Sequence, residues 1–302
     1  MSLGCNCNSG LSNTGRPNCI PIQSVTSKLI LTPIKANDGT LNAIDLTAPV
    51  PVWDNLINEV DASKRWFPLP SFENVELAKA DSQFEEANSG RMAFLRQGKR
   101  SFAGELWAED SSPQLLNKLQ NNRCVDFGVY IVDVNGNLVG SKVGDMLYPI
   151  PVDNPSFDPR YMFATDSTVS KIMVAFDFER LFDEGTMYMI TPAEAGVNFN
   201  DLVGLVDVNF LNLSQVANTS VTFDNKLDYG TAYNQILFKG GTLSDYQLFN
   251  TTTATIETGW TVTENLPLEG NYTLAFPFVT GEVYTLSIVR LGYDGEVTFT
   301  AI

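Results

Sequence analysis

Residues 124–140 read Cys124-Val-Asp-Phe-Gly-Val-Tyr-Ile-Val-Asp133-Val-Asn-Gly-Asn137-Leu-Val-Gly140. Cys124 to Val132 is a strongly apolar run of strand length, rich in β-branched and aromatic residues. Asp133 to Asn137 is turn vocabulary, and Leu138 onward is apolar again, so the stretch predicts an antiparallel hairpin. Asp133, Asn135 and Asn137 also have the spacing that opens a calcium loop. That loop needs Gly at its sixth place and Glu at its close, where this chain has Leu138 and Gly144, so the segment is read as a turn.

The same vocabulary continues on both sides. Ser27-Lys-Leu-Ile-Leu-Thr-Pro-Ile34 predicts a strand, and Asn37-Asp38-Gly39 a turn with Asn42 to Leu46 returning. Trp53 to Val60 carries apolar residues at helical spacing. Arg91-Met-Ala-Phe-Leu-Arg96 and Arg100 to Trp107 both alternate and predict a hairpin turning near Gly98, while Phe72 to Asn88 is acidic and ambiguous. Ser112 followed by Pro113 marks a helix start, and Leu115, Leu116 and Leu119 give one apolar face, so a short helix is expected over 113–121. Residues 145–165 read as a Pro- and aromatic-rich loop. A long strand is expected over 167–181, with further strands at 187–190 and 202–211.

After a polar stretch at 212–219, read as a linker, short apolar runs recur at 221–223, 235–238, 246–249, 272–276, 284–290 and 297–302. Turn residues separate them, which suits a small β-sandwich of the immunoglobulin-like kind. The expected fold is therefore mainly β. An extended N-terminal arm (1–24) precedes a β-sandwich or barrel-like, tube-type assembly domain (25–211) with one short helix, then the linker (212–219) and a C-terminal immunoglobulin-like β-sandwich (220–302). The arm is too polar to bury a core.

Charge and rare residues narrow the chemistry. The 302 residues hold 19 Lys and Arg against 35 Asp and Glu, a net charge of −16. Residues 1–150 carry 13 basic and 16 acidic side chains, net −3, and residues 151–302 carry 6 and 19, net −13. Such a surface repels phosphate, which argues against tight nucleic-acid binding. The chain has no histidine, so Ser-His, Cys-His and His-metal catalysis are excluded. Adjacent acids such as Glu85/Glu86 and Glu109/Asp110 are what chance supplies in so acidic a chain. Nucleotide-binding glycine loops and nucleophile elbows are absent. No enzyme activity and no cofactor are expected.

Cys5, Cys7 and Cys19 are the only candidate metal ligands of the arm. Their spacing lacks Cys-x2-Cys, so free thiols are the default, with a disulfide or a zinc site left open. No apolar run is long enough for a membrane span, and the first ten residues do not read as a secretory signal. The basic residues Arg91, Arg96, Lys99 and Arg100 flank the expected hairpin and are the candidate assembly interface, placed to meet an acidic face of another subunit. Trp53, Trp66, Trp107 and Trp260 are expected as core or interface anchors.

Cys5-Asn-Cys-Asn-Ser-Gly-Leu-Ser-Asn-Thr-Gly-Arg-Pro-Asn-Cys-Ile-Pro-Ile22, the Lys28-Leu-Ile-Leu-Thr-Pro strand and Asp38-Gly-Thr-Leu-Asn-Ala-Ile-Asp45 resemble virion proteins of tailed phages of Bacteroidetes. The resemblance covers mainly residues 5–46. The middle of the chain resembles tail tube proteins more loosely. It implies a virion structural protein, made in the host bacterial cytoplasm. Its copies would form hexameric rings stacking into a tube through which DNA passes without tight binding, in contact with other virion proteins. The C-terminal sandwich resembles the immunoglobulin-like decorations on such tubes. Two other readings stand beside it: a carbohydrate-binding or adhesion protein at a virion or cell surface, and another head, connector or baseplate component. Exposed aromatics clustered on the C-terminal sandwich would favour adhesion, and an apolar-cored sandwich would favour decoration.

Overall fold

The computed structural model describes residues 22–231 and 233–302, and for residues 216 and 217 the backbone alone. The chain is mainly β, with few and short helices. All but the last three residues of the N-terminal arm, including Cys5, Cys7 and Cys19, lie outside the described residues.

The hairpin forms as read. Phe127–Asp133 and Leu138–Val143 pair antiparallel, with Ile131 opposite Val139 and Val132 opposite Leu138. The turn is built on the buried Asp133 carboxylate. Its Oδ1 accepts from the Asn135 and Asn137 amides, both at 2.9 Å. Its Oδ2 accepts from Asn137 Nδ2 at 2.8 Å and from the Ser24 amide at 2.9 Å. Gly136 takes φ 78°, the left-handed conformation that a side chain disfavours. Cys124 is not in the strand: it ends a 3-10 turn, Asn122–Cys124, and is an exposed thiol.

The other neighbour of Phe127–Asp133 is Thr26–Pro33, which runs antiparallel to it. An eight-stranded sheet grows from this pair. Ile44–Asp45 joins it beside Met146–Tyr148 rather than returning along Thr26–Pro33. Every residue of Phe127–Asp133 is buried, so the sheet is covered on both faces. On one, Leu29, Leu31, Phe127, Val129 and Ile131 meet a four-stranded sheet through Phe102, Leu106, Ile172, Val174 and Phe176. On the other, Ile30, Tyr130, Val132 and Leu138 meet Trp53, Trp66, Phe199 and Leu202. The helix Pro113–Asn121 is capped by the Ser112 side chain, which accepts from the Leu115 amide, and it turns Leu115, Leu116 and Leu119 to the first core.

Two expectations for this domain are corrected. The Arg91–Arg96 run does not pair with Arg100–Trp107. Met92–Arg96 pairs with Gln83–Glu86, while Ser101–Trp107 pairs with Glu73–Glu76 and Lys171–Asp177. The partners Glu73↔Glu105, Glu76↔Ala103, Lys79↔Arg100, Gln83↔Arg96 and Phe84↔Phe94 keep a nearly constant register. Residues 73–105 are therefore one long interrupted hairpin whose tip is Asn88-Ser89-Gly90, with Gly90 at φ 78°. Gly98 is no turn. It lies so close to the opposite strand that a Cβ would stand 1.7 Å from the Ala80 carbonyl oxygen. The acidic segment 72–88 was the missing partner.

Residues 145–165 also hold strands: Met146–Tyr148, Ile150–Pro151 and Asp158–Met162. Asp158–Met162 is an edge strand, the position in a sheet that tolerates a proline such as Pro159. Its partner is Lys171–Asp177, shorter than the strand expected over 167–181.

The polar stretch 212–219 is not a linker. Val206–Ala217 is one strand, hairpinned to Ser220–Gly230 through a turn at Asn218 and Thr219. A bulge near Asn212, which has φ 52°, interrupts the apolar alternation and hides the strand in the sequence. The C-terminal unit thus begins at 206. Its two sheets pack through Val208, Phe223, Leu248, Tyr272, Leu274, Tyr284 and Leu286. The seam with the first domain is polar. Lys118 Nζ reaches Asp207 at 2.6 Å and Asp228 at 3.0 Å, Gln114 Nε2 donates to the Gly230 carbonyl at 2.9 Å, and Arg65 pairs with Asp294.

Two outcomes follow. Asp133→Ala orphans four donors at a buried turn and should cost about 3–5 kcal/mol in urea unfolding, with Asp133→Asn milder. A chain ending at 205 should be soluble and keep a cooperative melt. One ending at 219 leaves Val206–Ala217 unpaired, with Val208 and Phe210 uncovered, and should aggregate on size-exclusion chromatography.

Candidate assembly interface

Beyond residue 81 the long hairpin leaves the body of the domain. Every residue of Gln83–Glu86 and Met92–Arg96 is exposed, on both faces of the ribbon. Four of them are large and apolar: Phe84 (53% exposed), Met92 (57%), Phe94 (52%) and Leu95 (55%). The register sets Phe84 opposite Phe94 and Glu86 opposite Met92, so one face presents the two phenyl rings with Met92 beside them. The rings meet edge to face with centroids 5.6 Å apart. A two-stranded ribbon is marginal alone in water, and this one offers unpaired strand edges as well as an apolar face.

Its base is clamped. Lys79 Nζ and Arg100 Nε both reach the Glu184 carboxylate at 2.8 Å. Lys99 Nζ reaches Asp153 at 2.7 Å and Asp177 at 3.2 Å. The hydrogen bonds from Arg100, then Lys79, hold the Glu184 carboxyl below its ordinary range.

The four basic candidates therefore separate. Lys99 and Arg100 are spent on acids of their own chain and anchor the base. Arg91 and Arg96 lie on the projecting ribbon, Arg96 donating to Gln83 and Arg91 without an ion-pair partner among the described residues. The apolar residues were not singled out from the sequence. The signal was Phe84 and the Met92/Phe94 alternation on either side of Asn88-Ser89-Gly90, once those runs are paired with each other.

A cleft of about 740 Å³ lies at the seam between the two domains. Lys28 enters it buried, and burial lowers its pKa. Its ammonium is held by the Asn200 and Leu202 carbonyls at 2.7 and 2.9 Å. On the rim, burial and then the neighbouring Glu109 push the Asp110 carboxyl up.

Eight aromatic residues of the C-terminal sandwich, Phe223, Phe238, Tyr246, Trp260, Tyr272, Phe278, Tyr284 and Phe299, are in its core, and Phe210, Tyr229, Phe249, Phe276 and Tyr293 are half-buried. Tyr233 is the only large aromatic exposed there among the described residues. Trp53 and Trp66 are also core residues, and Trp107 is half exposed. No described helix is long and apolar enough to cross a membrane. No protein-family model and no curated protein matches the chain.

The clamp has a pH signature. A carboxyl held below its ordinary 4.5 contributes its full stabilisation above that pH and loses it as pH falls through the lowered value. As pH falls below 4.5 and through the lowered value, the protection factors of the Ala80 and Ser101 amides, which bond across the base, should fall in hydrogen exchange. Those of Phe127–Asp133 should hold.

Proposed function

We propose that this chain is a non-enzymatic virion structural protein that assembles with copies of itself, a subunit of a phage tail tube through which DNA passes. The observation that carries the reading is the projecting ribbon, which holds Phe84, Met92 and Phe94 in water on a rigid base. Covering such side chains contributes about 1.5–3 kcal/mol each when burial is complete, and a second copy of the chain is the partner always present at matching concentration. The acidic balance supports the channel role, since a ring of acidic subunits repels the DNA backbone and lets it slide. Residues 5–46 support the virion origin by their resemblance.

The adhesion reading has less support. A sugar platform needs clustered exposed aromatic faces, and among the described residues of the C-terminal sandwich only Tyr233 is an exposed aromatic. A head, connector or baseplate role shares the ribbon with the tube reading and differs in ring symmetry and place in the particle.

Purified protein should form rings or tubes in negative-stain electron microscopy. Phe84→Ser combined with Phe94→Ser should keep the melting temperature within about 2 °C, because both residues are already exposed, and should weaken assembly about a hundredfold by light scattering. Wild-type protein that stays monomeric at every concentration, or a double variant that assembles as wild type does, refutes the proposal.

A further inference from the structure

At one end the four-stranded sheet passes through the ion-pair clamp into the two-stranded ribbon, and at its other end it exposes a second group of apolar residues around the Lys171–Glu105 ion pair. Ser101–Trp107 runs away from the projecting ribbon and finishes at Trp107. There the register places Trp107 beside Lys171, and Lys171 beside Met162, one cross-strand row at the far edge of the sheet. Just beyond, the loop joining Asp158–Met162 to Lys171–Asp177 turns at Thr165 and Thr168 and exposes Phe163 (81%) and Val169 (47%). Trp107 and Met162 are themselves 42% exposed. Glu109 and Asp110 follow Trp107 directly in an exposed 3-10 turn. Neither forms an ion pair among the described residues. From Phe94 to Trp107 is 13 residues, which at about 3.3 Å each separates the two apolar ends by about 40 Å.

The geometry points to a head-to-tail contact: the projecting ribbon of one copy seats on the Trp107, Met162, Phe163 and Val169 end of the next. This rests on the reading of the ribbon as an assembly element and adds its receiving surface and polarity. The charges match. Among the described residues, the ribbon brings Arg91, which forms no ion pair, and the receiving end brings Glu109, which forms none, and Asp110, which feels only the more distant charge of Lys28. Burial and the like charge of Glu109 already raise the Asp110 carboxyl, a cost that an arriving guanidinium offsets. Because the donor and acceptor surfaces differ and lie at opposite ends of the run from Met92 to Trp107, each bound copy leaves one of each free. The contact joins unlike surfaces, so copies added by the same rotation extend head to tail rather than pairing like surface with like.

Two variants in combination test this. Phe84→Ser/Phe94→Ser removes the donor and keeps the receiver, while Phe163→Ser/Val169→Ser removes the receiver and keeps the donor. All four positions are exposed, and circular dichroism melts verify that each variant is folded. Alone, each should stop at the unit that lateral contacts allow, a single copy or a single ring. Mixed in equal amounts, the units should pair once and go no further, so that the mass by light scattering doubles and then stays constant. A charge exchange gives a second readout: Arg91→Glu should stop stacking and Asp110→Arg should restore it in the same chain. If the Phe163→Ser/Val169→Ser variant stacks like wild type, or the mixture does not pair, the receiving surface is wrong while the ribbon keeps its assembly role. If Phe84→Ser/Phe94→Ser itself stacks like wild type, the assembly reading of the ribbon falls too.

Discussion

The antiparallel pair Thr26–Pro33 and Phe127–Asp133 is buried on both faces, and the rest of the first domain follows from that. A strand satisfies its backbone groups only through its neighbours in the sheet, so the pair must sit centrally. Two apolar faces then demand two covers. Leu29, Leu31, Val129 and Ile131 take the four-stranded sheet, while Ile30, Tyr130 and Val132 take a layer of loops and short helices. The second layer is not a sheet, so polar atoms at its contact with the pair are satisfied singly. Trp53 Nε1 donates to the Ala195 carbonyl at 2.9 Å, Tyr130 Oη to the Leu147 carbonyl at 3.0 Å, and Lys28 Nζ to two carbonyls.

The covering sheet is longer than the surface it covers. Its inward residues on one strand, Phe102 and Leu106, end where the core ends, yet the ladder from Glu73 to Glu105 continues past Lys79 and Arg100 into solvent. Two ion-pair clusters mark the change from domain to ribbon. Past them no other element among the described residues covers Phe84, Met92 or Phe94. Three large apolar residues on one face of an unsupported ribbon with a fixed base make a surface suited to a partner. The proposed self-assembly rests on this overrun.

The C-terminal sandwich is not hung on a loose tether. Lys118 binds two of its acids and lies 5.3 Å from the Tyr229 ring centroid. Burial opposes the ammonium charge, but the bonds to Asp207 and Asp228 prevail and its pKa rises. With Arg65–Asp294 and the Gly292 amide on Asn58 Oδ1 at 3.0 Å, the seam holds both domains at several separated points. A partner that meets one domain therefore meets a fixed arrangement of the other.

Local chemistry made much of this legible from the sequence. The Asp133 turn, the Ser112-Pro113 helix start and most C-terminal strands could be read because each is decided within a few residues, by a capping side chain, a left-handed glycine or an alternating run. Composition removed histidine chemistry and set the acidic field. Pairing was decided only in three dimensions. Met92–Arg96 alternates equally well whether its partner is Gln83–Glu86 or Ser101–Trp107. What chose between them was the whole register from Glu73 to Glu105 and the close approach of Gly98 to Ala80. Burial was likewise a tertiary outcome: Phe94 and Phe102 carry the same apolar signal, and one lies in the core while the other stands in water. Periodicity along a chain says which residues share a face of a strand, but what that face meets depends on segments tens of residues away.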